Sequence, residues 1–198
     1  MIRTEKRPWE AGQALDRLLA VDTGLRDLGA ALFEGDRLVK VSLVENPNKH
    51  GRDAPAWSAM ADEVCARFPL VTELRCEMMV VRSGNRQVNP DDLMQLVGVA
   101  GVLVGRYYPA PAQVVRPEDW KGRVKKRIHH PRIIRTLDPN EQRLLERYMS
   151  ERPESAGFRT LDAYIDCCRR CRGNDYPNDP VHNVIDAVGI GLAHCGRK

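Results

Sequence analysis

Three acidic residues occupy positions where a carboxylate is costly without a partner. Asp22 ends the apolar run LLAVD (18–22), Glu77 precedes MMVV in TELRCEMMVV (72–81), and Asp186 lies within HNVIDAVGIGLAH (182–194). Removing a carboxylate from water is unfavourable unless a cation compensates it. Hard divalent ions such as Mg²⁺ and Mn²⁺ take oxygen ligands, and two of them about 3.5–4 Å apart clamp the attacking and leaving oxygens of a phosphodiester. Two-metal phosphodiester cleavage is therefore the chemistry that these three residues suggest together. Each has a plainer role when taken singly. Asp22 before Thr23-Gly24 suits a turn, and Glu77 and Asp186 suit solvent-facing positions on a strand and a helix.

The elements that would position them follow from the hydrophobic pattern. Residues 18–22 read as a buried strand, and 28–44 as two strands around the tight Glu34-Gly35-Asp36 turn. Residues 45–55 are turn-rich. Trp57, Met60, Val64 and Phe68 share one side of a helix over 57–68, and 72–81 reads as a strand followed by a loop at 83–90. Asn89, Pro90 and two acids open a long helix over 89–108. A short strand is expected at 112–117, a capped helix at 138–151 and a terminal helix at 182–194, with an insertion around 152–180. Strands alternating with helices predict an α/β fold with a mixed sheet of about five strands flanked by helices. The expected organisation is an N-terminal arm (1–16) and a single domain (17–198).

Charge is unevenly distributed. The chain of 198 residues carries net charge +4, yet residues 120–135, WKGRVKKRIHHPRIIR, hold seven Lys/Arg and no acid, so the remainder is net acidic. A concentrated basic stretch is the footprint of phosphate contact. No apolar run reaches the ~20 residues of a membrane span, and the N-terminus lacks a signal-peptide core, so an intracellular, cytoplasmic protein without a membrane partner is expected. The six cysteines form no small secreted disulfide framework. Cys168-x-x-Cys171 has the spacing of half a zinc knuckle, with only His194 or Cys195 as obvious supplements. An ordinary helix face is the favoured reading there, and Trp120 reads as a core anchor.

Several segments resemble the RuvC-type Holliday junction resolvases of the RNase H-like superfamily, phage-type members in particular. LLAVDTGLRDLGAALF looks like that family's first strand and hairpin. LRCEMMVVRSGNRQVNPDDLMQLVGVAGVLVG resembles its Glu-bearing strand, junction-contacting loop and central helix, and HNVIDAVGIGLAH its final catalytic helix. By position, Asp22, Glu77 and Asp186 match the family's metal-binding acids. The family's fourth ligand precedes the last Asp by one helical turn. Here His182 and Asn183 both qualify, lying about 40° and 60° from Asp186 around a helix, and His182 is the better ligand and a possible base. The resemblance implies catalysis by Asp22, Glu77, His182 and Asp186 with two Mg²⁺ or Mn²⁺ ions. It implies DNA contacts from Arg82, Arg86, Lys121, Arg123, Lys125, Lys126 and Arg127. It also implies a homodimer that resolves four-way DNA junctions.

One departure is clear: no Phe, Trp or Tyr occurs from Pro69 to Arg106, where such resolvases often carry a wedging aromatic. Arg82 and Arg86 are the candidates to replace it. The long apolar helix, with Leu93 and Leu96 among its exposed candidates, is the expected dimer face. Competing readings are a broader flap or debranching nuclease, a non-catalytic branched-DNA binder, and an actin-like ATPase lobe. The last would require two such lobes.

Overall fold

The computed structural model describes residues 16–48, 53–78, 89–122, 124–153, 157–171 and 179–197. Residues 1–15 of the N-terminal arm, Arg82, Arg86 and Arg123 lie outside them. Among the described residues five strands form one sheet: β1 (Arg17–Asp22), β2 (Asp27–Glu34), β3 (Arg37–Glu45), β4 (Glu73–Glu77) and β5 (Ala112–Val115). Their order is β3-β2-β1-β4-β5. β1 to β3 are antiparallel neighbours, whereas β4 runs parallel to β1 and β5 parallel to β4. This is the α/β fold expected from the sequence, a mixed sheet of five strands flanked by helices.

Among the described residues seven helices cover the sheet: α1 (Ala54–Arg67), α2 (Pro90–Tyr107), α3 (Pro117–Trp120), α4 (Lys126–Thr136), α5 (Pro139–Glu151), α6 (Leu161–Arg170) and α7 (Val181–His194). Side chains alternate across a strand, and the alternation of β1 sorts the core into two layers. Leu19 and Val21 pack with α1 and α2 through Met60, Val64, Val99 and Leu103. Leu18 faces the other side, where Phe33, Ile133, Leu145, Tyr164, Val184 and Val188 join α4, α5, α6 and α7 to the sheet. The segment 152–180 thus contributes a helix whose Leu161, Tyr164 and Cys168 are core residues.

Local signals account for most helix ends. Asp53 accepts from Ala56 N and opens α1, and Asn89 accepts from Asp91 N ahead of Pro90 in α2. Asp138 and Glu141 form a reciprocal capping box on α5. α4 begins inside the basic stretch and carries Pro131 in its interior, a position that removes a helical hydrogen bond and hides the helix from a propensity reading.

α7 is the most enclosed helix, buried from Val184 to Leu192. It approaches β2 at Gly29, where a Cβ would lie 2.1 Å from the Asn183 carbonyl oxygen. Gly29 pairs with Asp22 in the adjacent strand. The missing side chain therefore lets α7 settle directly beside the strand end that carries the first acid. Gly29→Ala should destabilise the fold by about 3 kcal/mol, because the obstacle is backbone and cannot rotate away. Chemical denaturation checks this, and an unchanged midpoint would contradict the close approach.

The expected dimer face needs correction. Leu93 and Leu96 point inward, at 8% and 7% exposure, because the inward stripe of α2 runs through Leu93, Leu96, Val99, Ala100 and Leu103. The outward apolar residues are Met94 and Val97, at 71% and 46% exposure. Gly101 and Gly105, further along that helix, have open space where a Cβ would stand.

Candidate active site

The sheet register brings the first two acids together. Asp22 and Glu77 are direct partners in the parallel β1–β4 ladder, at the C-terminal ends of both strands. Leu19, Val21, Leu74 and Cys76 belong to the layer beneath α1 and α2. Alternation then directs Asp22 and Glu77 to the opposite face, toward α7. Asp186 occupies α7 there and is 1% exposed.

Two lysines of the basic stretch enter this cluster. Lys121 Nζ lies 3.3 Å from Glu77 Oε1 and 4.0 Å from Asp186 Oδ1. Lys126 Nζ lies 2.5 Å from Asp186 Oδ2. Trp120 Nε1 donates to Glu77 Oε2 at 2.8 Å, and His130 Nε2 lies 2.9 Å from Asp186 Oδ1. Trp120 can reach Glu77 because it lies over Gly189 of α7, where a Cβ would meet its ring at 2.4 Å.

The electrostatics describe a site with surplus negative charge. Burial, followed by the charges of Asp186 and Glu77, pushes the Asp22 carboxyl well above its usual range. Burial also raises Glu77; Lys121 opposes the shift and Asp186 adds to it. For Asp186, burial alone would raise the pKa, but His130, Lys126 and Lys121 reverse this and hold it well below the usual value. Lys126 shows the reciprocal effect: burial disfavours its charge, and Asp186 with Asp22 more than restores it. Nearby positive charge and hydrogen-bond donors favour ionisation of the clustered carboxylates.

The donors fit hard divalent cations: oxygens from Asp22, Glu77 and Asp186, with a neutral imidazole beside them. Among the described residues no three acidic, His or Cys groups are drawn close enough to enclose an ion. The Lys121 ammonium instead stands between Glu77 and Asp186 as the cation bridging them. His182 is neutral near pH 7, its pKa lowered to about 4 by burial and then by Lys126. Its Nδ1 lies 2.5 Å from the Asp179 carbonyl oxygen. A carbonyl only accepts, so Nδ1 carries the hydrogen and the lone pair is on Nε2, the form needed by a ligand or base. The Asn183 amide instead donates to Asp27 O at 3.2 Å and ties α7 to β2.

The basic stretch divides by orientation. Lys121 and Lys126 turn inward to the carboxylates, Lys125 is exposed and Arg127 is half-buried. His130, which belongs to the same basic stretch, is fully enclosed and bonded to Asp186. The half-buried Trp120 contacts an acid of the site in addition to packing. Neither residue was legible as a site neighbour, because their proximity depends on how α3 and α4 fold back over α7. Cys168 and Cys171 lie on and just after the α6 helix, and no zinc set forms around them among the described residues. Cys167 and Cys171 lie 3.8 Å apart, Cys168 is buried, Cys195 contacts Gly35 O, and His194 pairs with Glu73.

No protein-family profile matches the chain, and no curated protein matches its sequence. Among solved structures it is similar to Thermus thermophilus RuvC in complex with a Holliday junction substrate, at 13% identity and TM-score 0.47, covering 90% of this chain and 91% of that one. It is similar to Thermus thermophilus RuvC in a second structure, at 13% identity and TM-score 0.45, covering 91% and 97%. The yeast mitochondrial Holliday junction resolvase Ydc2 is similar at 13% identity and TM-score 0.49, covering 94% and 86%.

Proposed function

We propose that this chain is a divalent-metal-dependent endonuclease that resolves four-way DNA junctions by paired nicks. The observation that carries the reading is the register pairing of Asp22 with Glu77 beneath a buried Asp186, with lysine ammoniums drawn between them. Asp22, Glu77, Asp186 and His182 are the residues that would hold two Mg²⁺ or Mn²⁺ ions. When bound, such ions activate water and stabilise the leaving oxygen. The chain's own groups supply the rest. His182, neutral and protonated on Nδ1, would take the proton through Nε2. Lys121 and Lys126 exchange a carboxylate partner for the phosphate, and Lys125 and Arg127 hold the flanking arm. Contacts of this kind give affinity without sequence information, and that affinity falls steeply with salt.

Pairing of nicks needs two sites. A two-fold dimer presents two identical sites to a branch that is itself nearly two-fold symmetric. The outward Met94 and Val97 stripe of α2 supports such a dimer, and the glycines beside it permit close helix approach. Replacing both Met94 and Val97 by Glu should give a monomer that nicks one strand only. Sedimentation and strand-resolved cleavage measure this. A wild-type native mass of 22.4 kDa at micromolar concentration would contradict the dimer.

The function is tested by cleavage of junction, flap, single-stranded and linear duplex DNA at physiological salt, with and without Mg²⁺ or Mn²⁺. The expected result is metal-dependent nicks near the junction branch point, leaving ligatable 5′-phosphate ends, with little cutting of linear duplex. Equal cutting of junction and linear duplex would replace the reading with a general nuclease.

A further inference from the structure

His130 on α4 and Tyr164 on α6 are both fully buried. Tyr164 Oη lies 2.6 Å from His130 Nδ1, and His130 Nε2 lies 2.9 Å from Asp186 Oδ1. The two rings stack with centroids 6.0 Å apart, and Phe158 closes on Tyr164 edge-on at 5.3 Å. The proton arrangement follows from the acceptor at one end. A carboxylate oxygen accepts, so across this 2.9 Å contact His130 Nε2 carries the hydrogen. Nδ1 of the neutral ring is then an acceptor, and the Tyr164 hydroxyl donates to it. The bonds have one direction, from tyrosine through histidine to carboxylate.

We propose that His130 is a positioning residue for Asp186 as a metal ligand, and that Tyr164 fixes the His130 tautomer. This rests on the metal-site reading above. His130 occupies Oδ1 of the carboxylate, and Oδ2 faces the cation side, where Lys126 now lies. Holding one oxygen sets the rotation of the carboxylate, so the other oxygen meets an incoming ion without reorganisation. Partners of this kind, one bond removed from the metal, typically change affinity by about 10–100-fold when lost. A buried pair that merely satisfied its own hydrogen bonds would affect stability and leave ion affinity unchanged.

The experiment measures Mn²⁺ binding by electron paramagnetic resonance without DNA, alongside kcat and KM on a four-way junction. Tyr164→Phe keeps the ring and its packing, and should weaken Mn²⁺ binding severalfold. His130→Leu should weaken it by about 10–100-fold. His130→Gln places an amide donor near the position of Nε2 and should recover most of the loss. In each variant kcat falls while KM for DNA stays unchanged. Wild-type Mn²⁺ affinity in His130→Leu, or Gln no better than Leu, would overturn the proposal. Should His130→Leu fail to fold, unchanged Mn²⁺ affinity in Tyr164→Phe overturns it. A wild-type chain that binds Mn²⁺ but cuts no branched DNA would remove the proposed function and leave this inference to the Mn²⁺ measurement. Absence of Mn²⁺ binding by the wild type would remove both.

Discussion

Asp22→Asn should lower junction cleavage by at least about a thousandfold while leaving DNA affinity and folding intact. The substitution keeps the shape and removes one negative charge. That charge is already unfavourable, since burial and the neighbouring Asp186 and Glu77 resist its ionisation. The fold therefore loses nothing by the change, and thermal stability should be equal or higher. Phosphate attraction is not weakened either, because a negative group near the DNA backbone has gone. What is lost is an anionic oxygen for the ions. Metal stabilisation of the transition state is worth several kcal/mol, and about 4 kcal/mol corresponds to a thousandfold in rate. Single-turnover cleavage and fluorescence anisotropy on the same junction separate the two effects. Activity within tenfold of wild type would remove Asp22 from the site.

The second large effect concerns folding. Glu141→Ala should destabilise the protein by about 3–5 kcal/mol, the usual result of breaking a buried ion pair from one side. Glu141 is 1% exposed and holds four groups. It accepts from Leu38 N at 2.8 Å and Asp138 N at 2.8 Å, and from Arg197 at 2.7 and 2.6 Å. Arg197 also donates to Asp36 O and Thr136 O. One carboxylate thus ties β3, α5 and the residues after α7 together. For its titration, burial alone would raise the pKa, but Arg197 and the Leu38 and Asp138 N–H groups outweigh it and hold it below 4.5. A depressed carboxylate pKa stabilises the fold above its unfolded value, and the contribution is lost as pH falls through the folded one. Stability should therefore decline below about pH 4.5 in the wild type, and less steeply in Glu141→Gln. Denaturant unfolding across pH measures both, and parallel profiles would contradict the assignment.

The strands, and the positions of the three acids at two strand ends and on the last helix, were legible because their signals are local. Asp22 ends an apolar run, Glu77 precedes one, and alternation plus the tight turn at Gly35 sets β1 to β3. The face of α2 was misread because its apolar residues surround the helix. Nothing local distinguishes Leu93, which meets the sheet side, from Met94, which meets solvent. Trp120, His130 and Tyr164 were not legible as neighbours of the acids. Each comes from a separate helix, and their meeting depends on α4 and α6 closing over α7. His182 bonds locally to Asp179 O, whereas the Asn183 amide is engaged by the distant Asp27 O, a tertiary contact that no local pattern signals.

Under the proposed function, two such acidic sites cut one branch together. A supercoiled plasmid carrying an extruded cruciform tests it most directly, because paired nicks linearise the circle and a single nick only relaxes it. With Mg²⁺ or Mn²⁺, the wild type should convert supercoiled plasmid to linear product ends mapping symmetrically to the cruciform, and Asp22→Asn should produce neither form. Accumulation of relaxed circles without linear product, or linearisation that persists in chelator, would contradict the account.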